Sequence, residues 1–252
     1  MNISDEQLLS WNRQGLIAGP KESSDAFLER IARLLPILIP HSHETAKEIT
    51  ATLFDFRTDW VDVRISNKGL RIWEAAATWT HAQDTPTITL KKTRRRNPSI
   101  EEIVSHEMLH VMRSLFPSSK YEECMAYCTS KSHWRRTLGP IFEAPWESST
   151  ILLLYYGALF VHVWFPERGF LAVLLPLATT TLFLLRLCQR HATMRKALSH
   201  LSAITSYPLP MLVRLTDEEI EMCAQSNAAE IRTYAQNQHC LRWRAISLAY
   251  LD

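Results

Sequence analysis

A stretch of nearly continuous apolar residues, from 151 to 187, constrains this chain more than any other feature of its sequence. A polar turn at 166–169 divides the stretch into a first lobe, 150–165, and a second lobe, 170–187. A bilayer requires roughly 20 apolar residues for one spanning helix. A soluble helical pair this apolar would need burial on every face, and a chain of 252 residues leaves little to bury it. The sequence therefore predicts a transmembrane helical hairpin over 148–188.

Basic residues flank the hairpin and predict its orientation. The turn carries one arginine beside one glutamate, whereas both flanks are basic, with Lys131, Arg135, Arg136, Arg186, Arg190, Arg195 and Lys196. The positive-inside rule then places both flanks in the cytoplasm. The first residues lack the basic and apolar regions of a cleavable signal peptide, and the five cysteines contain no C-x-x-C pair, which fits a reducing compartment. We expect a two-pass integral membrane protein with both termini and the catalytic domain cytoplasmic.

Composition and charge narrow the classes of partner. The formal net charge of +2 is too small for a dedicated nucleic-acid binder, so we expect no nucleic acid as a partner. The predicted hairpin implies membrane lipid as a partner. The 46% hydrophobic content is typical of a chain that buries a core. The sequence divides into an N-terminal domain at 1–147, the hairpin at 148–188 and a helical cytoplasmic region at 189–252. The last region offers no assignable chemistry.

The N-terminal domain is predicted to mix helices and strands. Apolar residues at helical spacing give way to period-two alternation near residue 59. The predicted helices cover 5–12, 24–35 and 42–56, and the predicted strands cover 61–65, 70–79 and 87–91. The fold class is therefore α+β, with a short sheet in a small domain.

Two capped helices follow the strands. The pattern at 99–102, a Ser followed three residues later by a Glu, is that of a capping box and predicts a helix over about 99–116. The same pattern at 119–122 predicts a second helix over about 119–136. The turn between them is short, so we expect the two helices to lie antiparallel. A third box, at 216–219, opens a helix in the C-terminal region.

The first capped helix carries the motif His106-Glu107-Met108-Leu109-His110. A spacing of four places the two imidazoles on one helix face, one turn apart, where they can bind one metal ion. Glu107 is offset from that pair and can act as the general base toward a metal-bound water. A hydrolytic zinc site needs a third protein ligand and an open fourth position. The motif therefore predicts a metal site that requires one more donor.

The second capped helix offers that third ligand. Glu122 is predicted to be used by the capping box, which leaves Glu123 as the free carboxylate. His133 is the rival third ligand. It lies ten residues beyond Glu123, nearly three helical turns away, so the sequence favours Glu123.

The segment from 59 to 136 resembles the gluzincin-type zinc metallopeptidases. In these families an H-E-x-x-H helix is followed by a glutamate ligand on a second helix, and the run from Glu123 to Ala126 is similar to their E-x-x-A pattern. The resemblance implies a zincin-like domain that binds Zn²⁺ and hydrolyses peptide bonds in a peptide or protein substrate. It also implies that an edge strand, here 87–91, binds the substrate by β-augmentation.

The resemblance further implies roles for individual side chains. Glu107 would take a proton from the zinc-activated water, and an electrophilic residue would stabilise the oxyanion. Tyr127 and His133 are the candidates for that second role. Tyr127 stands where some gluzincins have an acidic residue that orients a histidine, so we expect that support to come from elsewhere in the chain.

A membrane-anchored zinc metallopeptidase is the leading prediction, and two other functions are compatible with the sequence. One is a membrane-anchored interaction protein whose zincin-like domain binds metal without catalysis. The other is a soluble helical protein in which the motif is accidental. Bound zinc would exclude the accidental motif. Loss of cleavage in Glu107→Gln with zinc retained would separate the enzyme from the inactive metal-binding protein, because this change spares the predicted ligands.

Overall fold

The computed structural model describes residues 3–37, 43–71, 74–79, 86–92, 98–117, 120–142 and 144–251. Within these ranges the chain is mostly helical, with a small three-stranded sheet, which confirms a mixture of helices and strands. The helices are α1 (Asp5–Arg13), α2 (Ser24–Leu34), α3 (Glu44–Phe54), α4 (Ile100–Met112), α5 (Glu122–Ala126), α6 (His133–Leu138), α7 (Pro145–Trp164), α8 (Pro166–Leu201), α9 (Pro208–Leu212), α10 (Asp217–Gln225), α11 (Ala228–Gln236) and α12 (Leu241–Tyr250). The strands are β1 (Asp62–Ile65), β2 (Ala76–Trp79) and β3 (Thr87–Leu90).

The N-terminal helices form where the sequence predicts them. A capping box at Ser4 opens α1, and the Ser23 side chain accepts a hydrogen bond from the Ala26 amide at the start of α2. Helix α2 buries Phe27 and Ile31, which belong to the apolar stripe that predicted it. These helices pack into the same core as the motif helix α4.

The sheet has the order β1-β3-β2, with β1 parallel and β2 antiparallel to β3. The prediction that 87–91 is an edge strand is therefore wrong, because β3 pairs on both sides. Its side chains Ile88 and Leu90 are buried, as a central strand requires, whereas β1 and β2 are more exposed. Strand β2 lies beside α4, and in the described part of the chain the side of β2 that faces away from β3 pairs with no strand. Residues 80–85, which follow it, lie outside the described part of the chain.

Helix α4 is shorter than predicted and is capped differently. The Ser99 hydroxyl accepts from the Glu102 amide at 3.2 Å, as the capping pattern predicts. The Glu102 side chain does not complete the box, because it accepts from the Lys131 amide and pairs with Arg135 instead. The helix ends at Met112, since tighter hydrogen bonds of the 3₁₀ type close its last turn before Pro117.

The second capped helix is also shorter than its predicted range of 119–136. Ser119 lies outside the described residues, and the residue that precedes α5, Tyr121, makes no side-chain cap. Helix α5 ends at Ala126 and continues as a 3₁₀ turn at Tyr127–Thr129, in which the Thr129 hydroxyl donates to the Ala126 carbonyl. The chain then starts again at α6, where the Ser132 hydroxyl caps the new helix. Short hydroxyl side chains that bond to the backbone commonly break helices in this way.

The N-terminal and C-terminal segments share one hydrophobic core. Helices α8–α12 contribute to the same buried cluster as α1–α4. Arg214 crosses between the segments: its Nε donates to Asn12 Oδ1 at 2.7 Å and its Nη1 to the Phe54 carbonyl at 2.8 Å. The predicted segments 1–147 and 189–252 therefore fold together, and a chain cut before the hairpin would lose part of its core.

Helices α7 and α8 lie antiparallel, but only one of them has the properties of a spanning helix. The Tyr155 and Thr180 hydroxyls lie 3.3 Å apart across the pair, and Glu147 pairs with Arg186 at its base. Among the described helices, α8 alone is long and apolar enough to cross a membrane, with a mean hydropathy of 2.0 in a window that is only 11% buried. Helix α7 falls short because its first turns, up to Thr150, are polar.

Helix α8 changes environment along its length. Its first part is exposed and apolar up to Leu185, whereas its second part buries Leu187, Met194 and Leu201 at helical spacing. The predicted boundary at 188 therefore falls inside a continuous helix. The candidate membrane segment is attached to the core without a linker.

Glu219 holds the C-terminal helices together and generates a stability prediction. Its Oε1 accepts from Arg242 at 2.7 Å and from the Trp243 indole at 2.6 Å. Burial opposes its charge, but the hydrogen bonds and charge of Arg242 outweigh burial and hold the pKa of Glu219 below 4.5.

We expect Glu219→Gln to lower the free energy of unfolding by about 3 kcal/mol at neutral pH, because the change leaves the Arg242 charge buried without a carboxylate. A carboxylate with a lowered folded pKa stabilises above its unfolded pKa, and this contribution is lost as the pH falls through the folded pKa. The deficit should therefore narrow below pH 4.5. Denaturant unfolding of the full chain in detergent measures it, with the exposed neighbour Glu218→Gln as the control. Equal stability of Glu219→Gln and Glu218→Gln at neutral pH would contradict this account.

Candidate metal centre

Helix α4 places the two motif histidines on its outer face. Its opposite face packs into the core through Val104, Met108 and Val111. His106 and His110 follow the helical spacing of four and remain partly exposed, with ring centroids 4.9 Å apart. The Nε2 atoms of the two rings face each other at 3.2 Å. The predicted pairing of the imidazoles is therefore present.

Helix α5 brings Glu123 to the histidine pair. One carboxylate oxygen lies 3.4 Å from His106 Nε2 and the other lies 3.3 Å from His110 Nε2. These three side chains are the described group of histidine and acidic residues whose ligand atoms all lie within 4.8 Å of one another. Glu123, the third ligand that the sequence favours, thus stands beside both imidazoles.

The donors in this group suit a zinc ion. In a tetrahedral site with zinc–ligand bonds of about 2.0–2.1 Å, neighbouring ligand atoms lie roughly 3.3–3.4 Å apart. The two imidazole nitrogens lie 3.2 Å apart, and each lies 3.3 or 3.4 Å from a different oxygen of Glu123. With one ligand atom taken from each residue, the three atoms lie within 4.8 Å of one another. Two imidazole nitrogens and one carboxylate are also donors that zinc accepts, and three protein ligands leave a fourth corner for water or substrate. The donor types therefore suit zinc, and the three side chains are close enough to hold one metal ion.

Glu122 has a role that the sequence did not predict. Its Oε1 lies 2.6 Å from His110 Nδ1, and its Oε2 accepts from Arg113 Nε at 3.2 Å. This contact orients the His110 ring so that Nε2 faces Glu123, which is the usual function of a carboxylate behind a metal-binding histidine. The prediction that Glu122 serves a capping box is wrong, because α5 begins at Glu122 itself. The sequence feature that could have indicated this role for Glu122 was Arg113, a cation three residues after His110 that pairs with the Glu122 carboxylate.

Arg113 connects this support to the C-terminal segment. The side chain is buried, and its Nη1 donates to the carbonyls of Val213 at 2.6 Å and Leu215 at 3.0 Å. Nearby, Asp217 accepts from the Lys120 amide at 2.8 Å. Sequence reasoning found no chemistry in the C-terminal region, since contacts across about a hundred residues leave no local pattern. That region fixes the residues behind the metal centre.

The electrostatics of the site favour a bound cation. Burial opposes a charge on His110, but hydrogen bonds to Glu122 and Glu123 outweigh it and raise the pKa of His110 well above 6.5. Burial likewise opposes the Glu123 carboxylate, yet hydrogen bonds from His106 and His110 hold its pKa far below 4.5. The carboxylates thus stabilise positive charge between them, whether on a proton or on a metal ion.

Glu107 lies between the metal ligands and the sheet edge. The Thr78 hydroxyl, on β2, donates to Glu107 Oε2 at 2.8 Å. This bond fixes the carboxylate beside the free edge of β2 and leaves it outside the group of three ligands. Glu107 is therefore held by Thr78 and is not one of the three grouped side chains, and its role as a general base stays a prediction.

Tyr127 and His133 occupy different surroundings. The Tyr127 ring meets the His106 ring edge-on, with centroids 4.8 Å apart, and burial raises the pKa of the Tyr127 phenol, which keeps its proton at neutral pH. His133 is exposed at the first position of α6 and is not part of the group that surrounds the ligand atoms. The rival ligand is thus outside the group, while Tyr127 borders it.

Comparisons of the chain with family models, with curated proteins and with solved structures gave no match. The resemblance to gluzincins therefore rests on the motif and on the geometry of its side chains.

The Glu122 contact generates a prediction about metal affinity. We expect Glu122→Gln to weaken zinc binding about 10- to 100-fold, because the amide orients His110 poorly and does not raise its basicity. Competition with a zinc chelator measures the affinity of the full chain in detergent. Glu101→Gln, on the same helix and outside the site, is the control. Unchanged affinity in Glu122→Gln would show that His110 needs no such support.

Proposed function

We propose that this chain is a membrane-anchored zinc metallopeptidase. The observation that carries the proposal is the convergence of two imidazole nitrogens 3.2 Å apart with one carboxylate whose two oxygens lie 3.3 and 3.4 Å from them, next to a second carboxylate on the motif helix. An accidental motif on a solvated helix has no reason to bring a glutamate from another helix to both imidazoles. The geometry therefore favours a metal site, and the free carboxylate favours catalysis at it.

In this proposal His106, His110 and Glu123 hold the metal. A zinc ion held there supplies a Lewis acid and lowers the pKa of a coordinated water to roughly 7. Glu107 accepts a proton from the attacking water and returns it to the leaving amine. The bond from Thr78 keeps the Glu107 carboxylate aimed at this position.

The substrate is proposed to add to β2. One side of β2 pairs with β3, and in the described part of the chain its other side has no strand partner. An extended peptide can pair with such an edge through its main chain. Thr78 of β2 touches Glu107, so a peptide on this edge passes the general base. This assignment transfers the substrate-binding role from 87–91, which is central, to β2.

Tyr127 is the proposed oxyanion-stabilising residue. Its protonated phenol is a hydrogen-bond donor, and its ring already contacts a metal ligand. Such a donor stabilises the negative oxygen that develops in the transition state. His133, the other candidate from the sequence, is exposed at the start of α6, so we assign it no part in this step.

The membrane anchor is proposed to be the α7–α8 hairpin. Beyond the Glu147–Arg186 pair the two helices expose large apolar side chains up to the turn at Phe165, a rise of roughly 27 Å, close to the hydrocarbon thickness of about 30 Å. Arg186 and Arg190 at the base bond to the carbonyls of Ile141 and Pro140. We propose that both helices insert from the cytoplasmic side, which leaves the catalytic domain and both termini in the cytoplasm.

The decisive prediction concerns Glu107. We expect Glu107→Gln to lose peptide cleavage by about 10²- to 10⁴-fold while it keeps stoichiometric zinc, because the base is removed and the ligands are spared. Cleavage of a peptide library by the full chain in detergent, with metal analysis of the same sample, measures both. Glu101→Gln is the control. Zinc bound by a wild type that cleaves nothing would favour the inactive metal-binding protein instead.

A second prediction separates the two possible third ligands. We expect Glu123→Ala to lose stoichiometric zinc and His133→Ala to keep it, because Glu123 stands beside both imidazoles. Metal analysis of the purified full chain gives the answer, with His106→Ala as the reference for a lost ligand. The opposite pattern would mean that α6 moves onto the site and that this description of the ligands is wrong.

A further inference from the structure

The surface at the base of the α7–α8 hairpin exposes aromatic and aliphatic side chains outside the hairpin itself. On α6, Trp134 is 73% exposed and Leu138, one turn later, is 40% exposed. Trp146, in the first turn of α7, is 64% exposed. Large apolar residues exposed together are unusual on a surface that meets only water. We refer to Trp134, Leu138 and Trp146 as the collar.

Hydrogen bonds fix the collar at one level of α8. The Thr137 carbonyl lies 3.0 Å from His191 Nε2, and the Pro140 carbonyl accepts from Arg190 at 2.9 Å. One turn nearer the apolar part, the Ile141 carbonyl accepts from Arg186 at 3.2 Å. The level of residues 186–191 is where α8 changes from exposed apolar side chains to side chains buried in the core. The segment that carries Trp134 and Leu138 therefore lies beside the base of the candidate membrane segment, and Trp146 stands next to Glu147, which pairs with Arg186 at the same base.

The composition of this surface matches the headgroup region of a bilayer. Tryptophan concentrates where hydrocarbon meets water, since its ring is apolar and its N–H is polar. Lys131, two residues before α6, and Arg136, on α6, are exposed cations. Cations at this depth attract anionic lipid headgroups. Exposed tryptophans, exposed cations and an apolar helix that begins at the same place together favour a membrane surface over a protein partner.

We infer that the collar lies in the headgroup layer of an anionic membrane and holds the metal centre against the bilayer surface. Arg135 of α6 lies over the Tyr127 ring at 5.9 Å, and that ring contacts His106. Only two contacts thus separate the collar helix from a metal ligand. The inference rests on the proposed function and gives its substrate class: peptide segments that begin within a few residues of a membrane, next to a spanning helix or a lipid anchor.

The docking is tested without reference to catalysis. The full chain is reconstituted into vesicles of equal parts phosphatidylcholine and phosphatidylglycerol, with bromine on the acyl chains close to the headgroup. We expect Trp134→Phe to remove a strongly quenched component of the tryptophan fluorescence. Trp11→Phe, on α1 and against Phe27, is the matched control and should remove an unquenched one. If the component removed by Trp134→Phe is unquenched, the collar does not touch the membrane and the inference is overturned.

The substrate class is tested with one peptide in two forms, free in solution and tethered to the same vesicles by a lipid. We expect the double change Trp134→Ser and Leu138→Ser to lower cleavage of the tethered peptide about tenfold and to leave the free peptide unaffected, because docking raises the effective concentration of the tethered bond. Ile65→Ser, an exposed apolar residue on β1, is the control. An equal loss on both forms, or no loss on either, overturns the substrate class. If the wild type cleaves neither form, the proposed peptidase activity is contradicted. The quenching experiment then decides by itself whether the collar contacts the membrane.

Discussion

The carboxylate of Glu122 joins the candidate metal centre to the core of the fold. It lies between His110 and Arg113, so it joins the motif helix to the ligand helix, and Arg113 extends the connection to the carbonyls of Val213 and Leu215. A buried carboxylate and a buried guanidinium are costly unless both are paired and hydrogen-bonded. The orientation of one predicted zinc ligand is therefore a property of the whole fold, and the H-E-x-x-H motif alone does not determine it.

The parts that sequence reasoning predicted correctly are those with local causes. The spacing of His106 and His110, the Ser99 cap and the capping box at Thr216 each depend on residues within one or two turns. Glu123 was favoured because Glu122 was assigned to a capping box and His133 lies nearly three turns further along the chain, and the first of these two premises is wrong. The central position of β3 was missed, because strand order depends on which strand the chain returns to, and period-two alternation is the same in edge and central strands. Glu122 was misassigned because α5 begins at Glu122, two residues later than a cap at position 119 predicts. From that position the Glu122 side chain contacts His110.

Helix α8 explains why the sequence and the structure divide the chain differently. Mean hydropathy marks its first part as a separate apolar segment, whereas the buried spacing of Leu187, Met194 and Leu201 makes its second part a core element. Because the helix is continuous, any tilt of the apolar part is transmitted to the core without a flexible joint. If α8 crosses a membrane, its continuity would therefore fix the orientation of the core relative to that membrane as well as its location.

The candidate metal centre also concentrates negative charge. Three carboxylates, those of Glu107, Glu122 and Glu123, meet around the two motif imidazoles, and Arg113 neutralises one of them. With both imidazoles neutral, as metal binding requires, the group carries a net charge of minus two. A charge of that size in a partly buried site is costly without a counter-ion. A proton on His110, bonded to Glu122 and Glu123, lowers that charge by one, and a divalent cation held by His106, His110 and Glu123 would cancel it.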